Sequence, residues 1–322
     1  MKNKKIIFVS VLIVIAVCSA FMFTACKGEK GENRTDLRFA VPDGTPALAI
    51  SKMFEDNKTL EGYNMNYAIV APNLIASEMT GGKADILIMP TNAGAAQIKK
   101  GVEYKLAAVS VEGSLYVVGK GSGELTLDGL VADLKSGKKM ASIGLTSTPG
   151  IVFKYLAGSD YDEIKNNIEA VSDASQAINA LSRESNACDY ALVGEPAATA
   201  VIGKPNLNVN KRLNLQTEYA KKSGVDNFPQ ASLFVKNSLV TDTKFMTALF
   251  AALEASRDWI FSSDAATVNA RMESAGSTSK FPADSISRCA VAVKKAEGGE
   301  REIIKEYLAL MNITVGDDIF VY

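Results

Sequence analysis

Residues 84–100 read A-D-I-L-I-M-P-T-N-A-G-A-A-Q-I-K-K. An apolar run over 84–89 ends in the turn Pro90-Thr91-Asn92 and passes into a helical pattern over 93–100. The same passage recurs at four other places. Residues 37–41 lead through Pro42-Asp43-Gly44-Thr45-Pro46 into 47–54, and 65–70 lead through Ala71-Pro72-Asn73 into 74–79. Residues 140–145 lead through Thr146-Ser147-Thr148-Pro149 into 150–156, and 190–193 lead through Gly194-Glu195-Pro196 into 197–202. Thr45, Asn73, Asn92 and Thr148 carry side chains suited to capping a helix N-terminus. Pro46, Pro149 and Pro196 suit the first helical position, where a missing N–H costs nothing. Strands alternating with helices predict an α/β fold with mostly parallel sheets flanked by helices. In such sheets ligands bind beyond the carboxyl ends of the strands, which here are the five turns.

Two strand-like segments, 105–120 and 230–236, do not open onto a capped helix. They read as crossings between two lobes. The expected division is lobe I over 36–112 and 234–322 and lobe II over 113–233, joined by a two-stranded hinge. Residues 242–261 and 264–274 read as helices returning to lobe I.

The chain begins with an address. Lys2, Lys4 and Lys5 precede an apolar stretch over 6–23, then Phe23-Thr24-Ala25-Cys26 and a polar run over 27–36. A charged start, an apolar middle and small residues before a cleavage point describe a secretory signal over 1–25. The stretch also approaches the ~20 residues that span a bilayer, so an uncleaved anchor is the rival reading. Ala25-Cys26 resembles a bacterial lipobox, which implies that Cys26 is lipidated and that 26–35 is a solvated linker. The bulk of the protein is then extracytoplasmic and held at the cell membrane.

Composition removes several classes. Among 322 residues, 22% are charged, the formal net charge is −1 and histidine is absent. A near-neutral chain offers no basic face for nucleic acid. Without histidine, zinc sites and Ser-His or Cys-His catalysis lose their usual residue. No G-x-S-x-G, Walker loop or complete G-x-G-x-x-G occurs, and Ser277-Thr278-Ser279-Lys280 matches S-x-x-K without its companion motifs. No catalytic residue, metal or cofactor is expected. Cys188 and Cys289 remain beyond the leader, and the sequence leaves their pairing open.

The run 84–92, the following K-G-V-E-Y-K-L-A-A-V (100–109), Gly194-Glu195-Pro196, Phe228-Pro229-Gln230 and the terminal D-D-I-F-V-Y (317–322) together resemble one family. It is the nitrate/sulfonate/taurine and thiamine-pyrimidine group of ABC-transporter binding proteins. The resemblance covers roughly 37–322 and implies a two-lobed, type II periplasmic-binding-protein-like fold that shuts on its ligand. It implies a non-enzymatic protein, expected to be a monomer, that hands a small molecule to an ABC permease and ATPase. In members that bind aminopyrimidines a glutamate in the G-E-P position serves the ligand, which implies that role for Glu195.

The candidate ligand residues are Asp43, Gly44, Thr45, Asn73, Thr91, Asn92, Thr146, Ser147, Thr148 and Glu195 at the turns, with Tyr116 and Phe228 near the crossings as stacking surfaces. Trp259 reads as core, and Arg288 reads as a tie within lobe I, with a reach into the cleft from the C-terminal region as the alternative. The turns contain Asp43 and Glu195 but no Arg or Lys. Two carboxylates without a cation oppose an oxyanion, which favours arginine forks. A neutral or amine-bearing heterocycle, such as a thiamine-type pyrimidine, is therefore favoured. A nitrate- or sulfonate-type anion, a sensing lipoprotein uncoupled from transport and a pyrimidine-making enzyme on the related fold are the alternatives.

Overall fold

The computed structural model describes residues 35–322, so the signal segment, Cys26 and nearly all of the linker lie outside the described residues. The opening stretch forms β4 (Ile86–Pro90), all but its last residue buried. It sits inside a seven-stranded sheet with β1 (Asp36–Pro42), β2 (Thr59–Leu60), β3 (Tyr63–Val70), β5 (Tyr104–Glu112), β11 (Pro229–Lys236) and β12 (Val291–Lys295), in the order β12-β5-β11-β4-β1-β3-β2. A second sheet holds β6 (Leu115–Lys120), β7 (Met140–Ile143), β8 (Ile168–Val171), β9 (Tyr190–Gly194) and β10 (Val209–Asn214), in the order β10-β6-β9-β7-β8.

Pairing is parallel where a strand ends in a turn and a helix: β1 with β3 and β4, and β7 with β8 and β9. It is antiparallel around the remaining strands, where β11 lies between β4 and β5, and β6 between β9 and β10. The sheets are thus mixed, because the connecting strands run back against the helix-linked ones. β1 shows why the run reads as continuously apolar. It is sandwiched in the sheet with both faces covered, Phe39 and Val41 in one apolar cluster and Ala40 in the other.

The helices that position the site are α1 (Thr45–Ala49), α2 (Ile75–Thr80), α3 (Thr91–Lys99), α4 (Thr148–Ala157), α5 (Ala197–Val201) and α6 (Leu215–Ser223). Later come α7 (Thr243–Ser262), α8 (Ala265–Ser274) and α9 (Gly298–Ala309). α7 and α8 bury Leu249, Phe250, Leu253, Val268 and Met272 in the core of the larger sheet, as their pattern predicts. No helix among the described residues is long and apolar enough to cross a membrane.

The chain crosses from the larger to the smaller sheet at Gly113-Ser114, between β5 and β6, and returns between α6 and β11. The return falls before Pro229, not at 234, because all of β11 is hydrogen-bonded into the larger sheet. The crossings hold each other. Gly113 N donates to Phe228 O at 2.8 Å, and Ser114 N donates to the Gln230 side chain at 3.0 Å. Each sheet keeps its own apolar clusters, yet Asp36–Tyr322 packs as one compact unit. Cys188 and Cys289 are buried free thiols in different clusters and do not pair.

Candidate functional site

Two hydrogen bonds join loops of the larger sheet to loops of the smaller one. Thr45 Oγ1, just after β1, donates to the backbone oxygen of Glu195 at 3.3 Å. Thr148 Oγ1, just after β7, donates to Asn92 Oδ1 at 3.4 Å. Both bonds are held at strand carboxyl ends, so four of the five turns meet along a seam between the sheets. The N-terminal ends of α3 and α4 meet there through Asn92 and Thr148.

The threonines do this because they are not caps. The N-cap positions of α1, α3 and α4 are Gly44, Pro90 and Ser147, none with a side-chain cap bond, and Thr45, Thr91 and Thr148 are the first helical residues. Pro46 and Pro149 fall one position later, where an N–H is still an orphan. Pro196 is the N-cap of α5. Gly44 takes φ 103°, a region that side-chain-bearing residues avoid, to turn β1 into α1.

Glu195 is the electrostatic centre. Its side chain is fully buried, and Oε1 accepts from Arg288 Nε at 3.0 Å and from Thr199 Oγ1 at 2.7 Å. Oε2 accepts from Thr199 N at 3.0 Å, on the first turn of α5. Thr199 Oγ1 in turn receives Nη2 of Arg288 at 2.8 Å and Nη2 of Arg212 at 3.2 Å. The Arg212 guanidinium stands 5.6 Å from the Tyr116 ring, and its buried Nε has no partner among the described residues. Burial, with the charge of Glu195, pushes the Tyr116 hydroxyl up to about 12 against the pull of Arg288 and Arg212. Beside Thr45, burial pushes the Cys289 thiol up to about 12.

Asp43 belongs to the larger sheet alone. Oδ1 accepts from Gly44 N at 2.8 Å and Ser277 Oγ at 2.5 Å, and Oδ2 from the amide and hydroxyl of Thr278 at 2.9 and 2.6 Å. Burial alone raises its pKa, but these four bonds outweigh it and hold the carboxyl below its ordinary value. The S-x-x-K match is thereby explained: Ser277 and Thr278 clasp Asp43, and Lys280 pairs with Glu273 at 2.7 Å.

The other expected residues divide. Thr91 is fully buried and shares a 2.8 Å hydrogen bond with Ser232 on β11, so its hydroxyl turns into the larger sheet. Ser147 donates to the Ile143 and Gly144 oxygens, closing its own turn, and Thr146 is exposed beside it. Asn73 is exposed in a 3-10 turn ahead of α2 and takes part in neither hydrogen bond of the seam. Tyr116 is buried beside the Glu195 cluster. Phe228 is a correction. It is fully buried, stacked on Tyr307 at 5.8 Å and edge-on to Tyr219 at 5.1 Å, so its ring serves the crossing and is not offered to a ligand.

Arg288 takes the alternative of its two expected roles: it does not tie down one half but reaches from the turn before β12 to the smaller sheet. Arg212 and Thr199 were missed. Thr199 follows Glu195 by one helical turn, a spacing that lets its side chain meet the carboxylate. Nothing local marks Arg212 or Arg288, whose partners are distant in sequence.

No family model matches the chain, and no curated protein matches it. Solved structures do. An ABC transporter protein from Parabacteroides distasonis is 19% identical with a TM-score of 0.69, over 86% of this chain and 92% of that one. The ligand-binding component of an ABC-type import system from Staphylococcus aureus, with zinc bound, is 13% identical with a TM-score of 0.63, over 89% and 96%. The periplasmic aliphatic sulphonate binding protein of Escherichia coli is 13% identical with a TM-score of 0.62, over 86% and 87%. The chain therefore has the fold of ABC-transporter binding proteins, as the sequence resemblance implies.

Proposed function

We propose that the chain is an extracytoplasmic solute-binding lipoprotein, anchored through Cys26, that closes on a small molecule and delivers it to an ABC permease and ATPase. The two lobes would be built on the two sheets, 36–112 with 229–322 and 113–228. The observation that carries this reading is the seam: Thr45 to Glu195 and Asn92 to Thr148 join strand ends of one sheet to strand ends of the other. Ligands of such folds bind at strand carboxyl ends.

The ligand reading changes with the structure. The preference for an amine-bearing heterocycle rested on two uncompensated carboxylates. Glu195 is paired with Arg288, Asp43 is spent on its own loop, and Arg212 adds a second guanidinium to the cluster. Two helix N-termini meeting at Asn92 and Thr148 add positive partial charge. These features support a small solute with an acidic or strongly accepting group, the anion alternative of the sequence reading.

A thermal-shift panel of sulfonates, carboxylates, pyrimidines, flavins and amines tests it. Acidic solutes should raise the melting temperature. A shift from amines or pyrimidines alone would overturn the ligand assignment, and no shift from any solute would overturn the binding reading.

A further inference from the structure

The two crossings are not the whole connection between the sheets. α9 buries Ile304, Tyr307 and Leu308, one helical stripe, but the stripe enters two cores. Ile304 and Leu308 pack with Leu106, Phe234 and Phe320 around the larger sheet. Tyr307 packs with Phe153, Leu156 and Tyr219 around the smaller one and stacks on Phe228 at the return crossing, with an interplanar angle of 14°. The chain then stays tied to the larger sheet, where Ile319 and Phe320 are buried and Val321 N donates to Leu106 O at 3.1 Å.

Tyr307 also carries an unpartnered polar atom into the smaller sheet's core. Its side chain is completely buried and its hydroxyl has no hydrogen-bond partner among the described residues. A buried hydroxyl left without a partner is costly, so packing must hold it there. One residue therefore stacks on the return crossing and shares an apolar cluster with Phe153 and Leu156 of α4.

We propose that Tyr307 is a strap: α9, rooted in the larger sheet, inserts this side chain into the smaller sheet's core and restrains opening of the seam. The inference rests on the two-lobe reading above. Opening turns about Gly113-Ser114 and the 224–228 return, and it must carry the Tyr307 ring relative to Phe228.

Amide hydrogen exchange of the full chain tests this without any ligand. Three variants are compared with wild type: Tyr307→Leu, which keeps an apolar side chain but removes stack and hydroxyl; Ile304→Ala, which trims the same helix only on the larger-sheet side; and Arg288→Ala, which breaks the seam's ion pair. Tyr307→Leu and Arg288→Ala should give a several-fold rise in exchange at 43–50, 91–95, 146–152 and 195–200, with β1 and β9 unchanged. Ile304→Ala should leave the seam segments at wild-type rates. The strap is overturned if Arg288→Ala opens the seam while Tyr307→Leu does not, or if Ile304→Ala opens it equally. If none of the variants, Arg288→Ala included, changes exchange at the seam, the opening reading itself fails.

Discussion

Arg288 Nε stands 3.0 Å from Oε1 of Glu195, a residue 93 positions away whose side chain is fully buried on the other sheet. An ion pair of this kind does not hold a single lobe together. It holds two halves against each other, and Thr45 repeats the connection through the Glu195 backbone.

Removing one partner of that pair leaves the other's charge uncompensated. Arg288→Ala should destabilise the protein by about 2 kcal/mol, less than the ~3–5 kcal/mol of a fully buried pair because Arg288 is 30% exposed. Glu195→Gln, which keeps the shape and one acceptor, should cost less. Denaturant titrations of both variants measure this, and equal wild-type midpoints would remove the pair from the account.

The crossing leaves no room for a side chain at position 113. A Cβ on Gly113 would lie 2.4 Å from the Phe228 ring and 2.7 Å from Asn227 Oδ1. The ring cannot retreat, because Tyr307 stacks on it. Gly113→Ala should cost about 1–3 kcal/mol, read as a lower urea midpoint, whereas an unchanged midpoint would mean that the crossing yields.

Asp43 predicts an acid-sensitive loop. Its folded pKa lies below the ordinary carboxylate value, so its stabilising contribution is fully present above about pH 4 and is lost as pH falls through the depressed value. Asp43→Asn should lower stability at neutral pH and flatten the acid limb of the stability curve. Melting temperatures of wild type and variant that fall in parallel below pH 4 would contradict this.

Cys289 reports on the seam. Its thiol is buried beside Thr45 and pushed up to about 12, so it holds little reactive thiolate near neutral pH. Alkylation should be slow in wild type and faster in Arg288→Ala, while Cys188, buried in a different cluster, should react alike in both. Equal Cys289 rates would mean that the ion pair does not guard it.

Sequence patterning carried the architecture further than the site. Strand, turn and helix at 84–100 are local events, dictated by apolar runs, prolines and short polar turns, and they appear where the pattern puts them. The meeting of Thr45 with Glu195 follows from the rule of strand ends. Capping was misassigned by one residue at Thr45 and Thr148, because a threonine at the first helical position and one at the cap look alike in sequence, and by two at Asn92, where Pro90 is the cap. Phe228 was misread because an aromatic beside a crossing gives no sign of whether Tyr307, 79 residues on, will cover it. Arg212 lay beyond reach for the same reason: a cation's partner is set by tertiary packing, and no carboxylate stands three or four residues from it. Arg288 has Asp284 four residues before it, so spacing gave no sign that its partner would be Glu195 on the other sheet.

The proposed solute binding is tested most directly where Asn92 and Thr148 meet. The doubly substituted protein, Asn92→Cys with Thr148→Cys, should be loaded with the acidic solute that raises the melting temperature most, oxidised, dialysed and weighed by native mass spectrometry. The oxidised protein should retain the solute and the reduced protein should lose it. Equal loss from both, with the new disulfide formed, would mean that nothing is held behind that contact.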